Sequence, residues 1–176
     1  MRTEKAEFEI RKAENLTKRI LAYRWLLLIA AIVVVLDQAA KAWIVARFPS
    51  GAYGELGAIT VVRGFLYLIH VDNTGAAWSL FTGRSVVLAV LAAATLGAIF
   101  LWRRALGLAA ARTQVAFGLL CGGIAGNLLD RLRHGHVIDF IDCHFGRYIY
   151  PTFNFADCGI CVGVGLYLLQ SLRKTN

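Results

Sequence analysis

Four apolar stretches, each long enough to cross a lipid bilayer, constrain this chain more than any other feature. The hydrocarbon layer is about 30 Å thick, and a helix needs about 20 predominantly apolar residues to cross it. The first stretch contains an uninterrupted apolar run from Trp25 to Leu36. The chain is therefore expected to be an integral membrane protein. Its four predicted spans are Trp25–Trp43, Ser85–Trp102, Thr113–Leu132 and Phe153–Leu172.

Composition supports this class and excludes others. Hydrophobic residues make up 58% of the chain and charged residues 17%, whereas soluble domains have about 45–50% and 25%. This balance excludes a disordered chain, a collagen-like repeat and a small disulfide-stabilised domain. The cysteines lack the paired spacing of a zinc site, so we interpret them as small apolar side chains. They are Cys121, Cys143, Cys158 and Cys161.

The basic residues predict the orientation of the spans. Of 19 Lys and Arg residues, 12 fall in 1–24, in 103–112 and at the C-terminus. Cytoplasmic loops carry the excess of Lys and Arg, so both termini are expected in the cytoplasm, with 44–84 and 133–152 outside. The first span lacks a following small-residue cleavage site and is expected to be retained as an anchor. The net charge of +8 is thus a topology signal, and no nucleic-acid partner is expected.

A single membrane domain over 1–176 is expected, with residues 1–22 as a cytoplasmic tail. The outer segment Ile59–Val71 is rich in β-branched and aromatic residues, which predicts one or two strands. We expect a small sheet resting on the membrane surface, with Phe65 and Tyr67 at the interface.

Polar residues within or beside the spans converge on the outer side. Each is costly in a membrane and is therefore a functional hypothesis. Ten residues share this placement in the predicted topology, although they come from all parts of the chain. They are Asp37, Gln38, Lys41, Asn73, Asn127, Asp130, Arg131, Asp139, Asn154 and Asp157.

Several of these residues also have simpler interpretations. Asp37 and Lys41 are four residues apart and could pair on one helix face, with orientation of the site as a by-product. Asn73 could begin an ordinary turn with Thr74 and Gly75. Asp130 and Arg131 could form an interfacial cap, or Arg131 could hold Asp130, a substrate carbonyl or a lipid headgroup oxygen.

Two further patterns have a preferred structural interpretation. His134, His136 and His144 near Asp139 could suggest a metal, but no HExxH motif is present and no metal or cofactor is expected. The pairs Gly122/Gly126 and Gly159/Gly163 have small-xxx-small spacing, which predicts close packing of the third and fourth helices.

Asp139 and Asp157 are the strongest catalytic candidates. Both lie at the predicted membrane boundary, and Asn154 lies one turn before Asp157. Two close carboxylates tend to share one proton, which supplies one base to activate water and one acid to polarise a carbonyl. A structural carboxylate pair or a proton relay would produce a similar pattern.

Five ordered motifs resemble lipoprotein signal peptidase, also called signal peptidase II. The resemblance covers the chain from about Leu36 to the C-terminus. The motifs are DQAAK at Asp37–Lys41, NTGAAW at Asn73–Trp78, GGIAGNLLDR at Gly122–Arg131, VIDF at Val137–Phe140 and FNFAD at Phe153–Asp157. Trp78 stands where the family more often has Phe.

The resemblance implies a bacterial inner-membrane aspartic endopeptidase with its active site facing the periplasm. The expected fold is an all-α membrane protein of four transmembrane helices, with a small extracytoplasmic sheet and a short extracytoplasmic helix around Asn73–Phe81. The expected substrate is a diacylglyceryl-modified prolipoprotein, cut just before its lipidated cysteine. Membrane lipid and globomycin-type inhibitors are the other expected partners.

The motifs also carry the family's residue roles onto this chain. Asp139 and Asp157 take the catalytic positions. The residues implied to support or line the site are Asp37, Lys41, Asn73, Asn127, Asp130, Arg131 and Asn154.

Two other classes of function remain open from the residues alone. A small proton-coupled transporter could use Asp139 and Asp157 as a relay, but the chain shows no inverted repeat and its polar groups lie on one side. A non-catalytic membrane assembly factor would not need two carboxylates at that depth. Cleavage of a diacylated prolipoprotein by the purified protein would separate all three.

Overall fold

Four helices account for most of the residues that the structure describes. The computed structural model describes residues 21–51, 57–76 and 80–173, so the predicted tail lies almost wholly outside the described residues. The helices agree with the predicted spans to within about one turn. They are α1 (Arg24–Arg47), α2 (Ser85–Leu101), α3 (Ala111–His134) and α4 (Phe155–Leu172).

Three of these helices, α1, α3 and α4, are long and apolar enough to cross a membrane. The fourth apolar helix, α2, has 17 residues. Large apolar side chains such as Val35, Val86 and Leu169 lie exposed on the outer surfaces of the helices, as expected where lipid replaces water. The described chain is thus mostly helical, with apolar faces turned outwards.

Helix α3 lies at the centre and packs against all three other helices. Glycines make the close approach possible. On α4, a Cβ at Gly159 would lie 3.0 Å from Leu119 O and one at Gly163 would lie 2.6 Å from Ala116 O. For these two residues the predicted α3–α4 packing is confirmed.

The prediction was incomplete for α3. A Cβ at Gly122 would meet Ala30 O at 2.8 Å, so this glycine contacts α1 rather than α4. Gly123, which the spacing rule did not select, faces α4 instead, and a Cβ there would overlap the carbonyl oxygen of Ala156. The small-residue rule identified the helix but not which neighbour each glycine contacts.

A four-stranded antiparallel sheet lies at the end of the helices. Its strands are β1 (Ile59–Val62), β2 (Leu66–Asn73), β3 (Val137–Phe145) and β4 (Tyr148–Ile149), in spatial order β1-β2-β3-β4. The prediction of one or two strands over 59–71 is confirmed as the β1–β2 hairpin. No strand was predicted in the outer segment 133–152, but β3 and β4 occupy just over half of it. Asp139 therefore lies on a strand that pairs with β2.

The described residues directly after β2 are not helical, although a short helix was expected there. Residues 74–76 and 80–83 form bends and turns, and Ala76 N donates to Leu80 O at 2.7 Å. Residues 77–79, including Trp78, lie outside the described part of the chain. No helical turn is present in the described residues of Asn73–Phe81.

A compact apolar cluster attaches the sheet to α1. Ile44, near the C-terminal end of α1, packs with Ile138 and Phe140 of β3, and all three side chains are buried. This contact fixes β3 against the helices at the residues on either side of Asp139.

Candidate active site

Asp139 and Asp157 are brought together by one asparagine. Asn154 donates from Nδ2 to Asp139 Oδ1 at 2.6 Å and from its backbone N to Asp157 Oδ2 at 3.2 Å. Its own Oδ1 accepts from Asp157 N at 2.9 Å. These last two bonds form a capping box, in which Asn154 is the N-cap of α4 and Asp157 the third helical residue. The local sequence that begins the helix therefore also places its carboxylate.

The remaining carboxylate oxygens accept from two further amides. Asn73 donates from Nδ2 to Asp139 Oδ2 at 2.8 Å, and Asn127 donates from Nδ2 to Asp157 Oδ1 at 2.8 Å. All four carboxylate oxygens thus have an N–H donor. The predicted turn at Asn73 also forms, because its Oδ1 accepts from Gly75 N at 2.9 Å.

Burial and the neighbouring carboxylate raise the pKa of Asp139. The residue is 2% exposed, and loss of solvation is the largest cause of the shift, followed by the charge of Asp157. The amides of Asn73 and Asn154 and the charge of Lys41 oppose it. The resulting pKa of Asp139 is about 7, so this carboxyl can hold a proton near neutral pH.

Lys41 is the buried centre of a second polar network. Its Nζ lies 2.7 Å from both Asp37 Oδ2 and Asp130 Oδ2 and donates to Asn127 Oδ1 at 3.0 Å. The predicted pair on one face of α1 is confirmed, but the pair is only part of the network. Because Lys41 donates to Asn127 Oδ1, the Nδ2 of the same amide is turned towards Asp157.

The two carboxylates bound to Lys41 also fix the backbone beside the catalytic candidates. Asp37 Oδ1 accepts from Ala156 N at 2.9 Å, and Asp130 Oδ2 accepts from Ile138 N at 3.2 Å. These backbone groups immediately precede Asp157 and Asp139 in the chain. Asp37 and Asp130 therefore hold the backbone next to the dyad of Asp157 and Asp139.

Gln38, one of the ten outer-side polar residues but not one of the site residues implied by the resemblance, also belongs to this network. Its Nε2 donates to Asp130 Oδ1 at 2.7 Å, and its Oε1 accepts from Arg133 Nη1 at 3.1 Å. Its position between Asp37 and Lys41 was the available signal in the sequence.

Arg131 does not pair with Asp130, the partner within the chain that the sequence suggested. Its Nη2 donates to Gly75 O at 2.9 Å, while the oxygens of Asp130 face Lys41 and Gln38. The interpretation of Asp130 and Arg131 as an interfacial cap was wrong. α3 instead ends at Gly135, in a left-handed conformation with φ 77°.

The histidines pair with carboxylates that sequence reasoning did not select. His136 Nε2 lies 3.0 Å from Asp72 Oδ1, and His144 Nε2 lies 2.7 Å from Asp142 Oδ2. Within the described residues, no group of three or more His, Cys, Asp or Glu side chains could hold a metal ion.

An apolar cavity of about 740 Å³ opens at the dyad. Leu91 of α2, Ile124 of α3 and Ile160 of α4 line it, and Asp139 and Asp157 lie on its wall. Asn73, Asn127, Arg131, Cys143, Cys158 and Cys161 also line it. The cavity combines apolar walls from three helices with two carboxylates able to share a proton, which suits hydrolysis of a largely apolar substrate.

The chain is similar to known proteins of one family. The family model for signal peptidase (SPase) II matches residues 29–173. The lipoprotein signal peptidase of Aeromonas hydrophila subsp. hydrophila is 37% identical over 164 residues, which cover 91% of this chain and 95% of the relative. That of Geobacillus kaustophilus is 38% identical over 151 residues, with 85% and 92% covered.

A solved bacterial membrane enzyme is similar in structure, with a TM-score of 0.77 and 32% identity over 86% of this chain and 89% of that one. A second has a TM-score of 0.70 and 31% identity, with 84% and 92% covered. The sequence match spans four helices and the sheet that carry the polar network described above. The chain belongs to the signal peptidase II family.

Proposed function

We propose that this chain is a lipoprotein signal peptidase in which Asp139 and Asp157 form the catalytic pair. The family is one of aspartic peptidases that cleave signal peptides from prolipoproteins. The observation that carries the residue assignment is the junction at Asn154, which holds both carboxylates at the wall of the apolar cavity. The substrate is a prolipoprotein with a diacylglyceryl-modified cysteine, and the scissile bond immediately precedes that cysteine.

The chemistry follows from one proton shared by two carboxyl groups. We assign the shared proton to Asp139, whose pKa burial raises to about 7, and we take Asp157 as the base. Asp157 takes a proton from water as the water oxygen attacks the scissile carbonyl carbon, while Asp139 gives its proton to the carbonyl oxygen. The resulting tetrahedral intermediate is neutral and bears two hydroxyl groups.

Collapse of the intermediate restores the pair. The carbonyl reforms as one hydroxyl returns its proton to Asp139, and Asp157 donates its proton to the departing nitrogen of the cysteine. The products are the free carboxyl end of the signal peptide and a lipidated cysteine with a free amine. The four amide donors keep both carboxyl groups in place throughout, which limits reorganisation during the reaction.

The supporting residues have distinct roles in this proposal. Lys41 orients Asn127, and Asn127 in turn orients Asp157. Arg131 holds Gly75 at the edge of the cavity. Globomycin-type inhibitors are expected to occupy the apolar cavity in place of the signal peptide.

The membrane arrangement is part of the same proposal. We infer that α2 is the fourth span, because its 17 residues extend about 26 Å and exposed Trp102 follows it directly. The termini then face the cytoplasm, and the sheet lies on the periplasmic surface of the inner membrane. In this position the dyad meets water where the lipid-bearing cysteine emerges from the outer leaflet.

The decisive experiment measures turnover of a diacylglyceryl-modified prolipoprotein by purified protein in detergent. Asp139→Asn and Asp157→Asn should each leave less than about 1% of the wild-type rate, and the double variant should be little worse than either single one, because the residues act as a unit. Melting temperature and inhibitor binding show that each variant is folded. The same prolipoprotein without its lipid serves as the matched substrate control.

Two results would contradict the proposal. Cleavage of lipidated substrate by Asp157→Asn at even a tenth of the wild-type rate would make Asp157 a structural group. A wild-type protein that is folded and binds inhibitor but cleaves no lipidated prolipoprotein would remove the proposed activity itself.

A further inference from the structure

A second cavity lies on the other side of Asp139. It has a volume of about 740 Å³ and is lined by the end of β2, by β3 and by residues 149–152. Asn73, Asp139 and Thr152 line both this cavity and the apolar one. The catalytic candidate therefore stands on the wall that the two cavities share.

The charged groups that line this second cavity are mostly acidic. Asp72, Asp139 and Asp142 contribute carboxylates. Among the described residues, His144 and Tyr150 are the other titratable side chains on the cavity wall, and neither Lys nor Arg lines it. This lining contrasts with the aliphatic helix faces of the apolar cavity. The second cavity is named here the outer acidic cavity.

Histidines are the ion-pair partners of the two noncatalytic carboxylates within the described residues. Asp142 is 5% exposed, and its Oδ2 lies 2.7 Å from His144 Nε2. Asp72 lies within 3.2 Å of His70 and 3.0 Å of His136 through Oδ1. Within the described residues, both carboxylates thus have histidines rather than lysine or arginine as ion-pair partners, and the cavity wall carries these acidic groups without a neighbouring basic side chain of fixed charge.

The occupant of the outer acidic cavity follows from the proposed function, on which this inference rests. The two sides of the scissile bond differ in chemistry: the signal peptide before it is apolar, and the mature polypeptide after it is bound for water. We propose that the outer acidic cavity binds the residues directly after the lipidated cysteine. Asp72 and Asp142 then make the enzyme prefer basic over acidic side chains at those positions.

The test uses three diacylglyceryl-modified substrates that differ only in the two residues after the cysteine, which are both Lys, both Gln or both Glu. At low ionic strength, kcat/KM of wild-type protein should follow the order Lys, Gln, Glu. The Lys substrate should exceed the Glu substrate by about tenfold, since a charge pair in a solvent-filled cavity contributes up to about a fivefold effect. At about 0.5 M salt the ratio should fall towards unity, because the screening length becomes shorter than about 8 Å.

Variants assign the preference to the cavity. Asp142→Asn and Asp72→Asn should each lower the Lys-to-Glu ratio at least twofold, and two variants guard against a loss of folding in one. Arg63→Gln is the matched control, because Arg63 lies in the β1–β2 turn outside the residues that line the cavity. It should leave the ratio unchanged.

The outcomes separate this inference from the proposed function. If wild-type protein cleaves all three substrates equally at low salt, or if both aspartate variants keep the full ratio, the outer acidic cavity does not select the substrate. If the Gln substrate is not cleaved at all, the proposed peptidase activity fails first.

Discussion

Replacing Asp139 by Asn should stabilise the folded protein relative to wild type, and this gain should be larger at alkaline pH than at acidic pH. Burial favours the protonated carboxyl in the folded chain, and the pKa of Asp139 rises from 3.8 to about 7. The raised pKa of Asp139 stabilises the folded state fully below pH 3.8, and this stabilisation is lost as the pH rises towards 7. The wild-type chain therefore carries a buried charge above pH 7 that Asn lacks.

The structure sets the size of the effect. A shift from 3.8 to about 7 corresponds to about 4 kcal/mol in the free energy of unfolding. Asn presents one acceptor where the carboxylate presents two, so either Asn73 or Asn154 loses its bond at a cost of about 1 kcal/mol. The net gain at pH 8 is about 3 kcal/mol, or roughly 8 °C in melting temperature for a chain of this length.

Thermal unfolding followed by tryptophan fluorescence in detergent checks this expectation. At pH 5 the wild type and the Asn variant should melt within about 3 °C of each other, and the variant should gain as the pH rises to 8. Asp157→Asn gives a second arm, because removing the Asp157 charge lowers the pKa of Asp139 and moves the transition to lower pH. A difference between wild type and Asp139→Asn that is the same at pH 5 and pH 8 would refute the reasoning.

Three further predictions concern the scaffold. Lys41→Ala leaves two buried carboxylates without their cation and should lower the free energy of unfolding by about 3–5 kcal/mol, which the same melting assay measures. A normal melting temperature with abolished cleavage would instead place Lys41 among the groups that touch substrate. Gly123→Ala should reduce both folded yield and turnover, because its Cβ would overlap Ala156, whereas Gly165→Ala, with nothing within 4 Å, should keep both. Ser50→Cys in a chain without native cysteines should react with an impermeant thiol reagent from the periplasmic side, and labelling only from the cytoplasm would reverse the proposed topology.

Local features of the sequence were enough for the helices and for the first hairpin. An apolar run of about 20 residues has few alternatives to a helix, because an unsatisfied backbone group in lipid costs several kcal/mol. The β-branched segment 59–71 likewise predicts strands, and its outcome as β1 and β2 agrees. Whether these segments form helices or strands depends on residues close together in the chain, so the sequence is enough to predict it.

Strand β3 was missed for a physical reason. Val137–Phe145 contains three polar residues among nine, two of them aspartates, and the strand does not alternate between a buried and an exposed face. The strand is stabilised by pairing with β2 and by packing of Ile138 and Phe140 on α1. Those partners are about 65 to 100 residues away, so no local pattern predicts it.

The candidate site also divides into what the sequence predicted and what only long-range contacts decided. Motif resemblance predicted its members, including Asp139, Asp157 and Asn154, and the polar residues of each span could be assigned to one side. The sequence alone determined which groups a membrane cannot tolerate without partners. Only the tertiary structure decided the partners: Lys41 binds Asn127 as well as its neighbour on the helix, and Arg131 faces Gly75 rather than Asp130. The physical reason is that hydrogen bonds depend on ångström-scale positions of groups on different elements, and those positions are set by how glycine-lined helices and the sheet pack together.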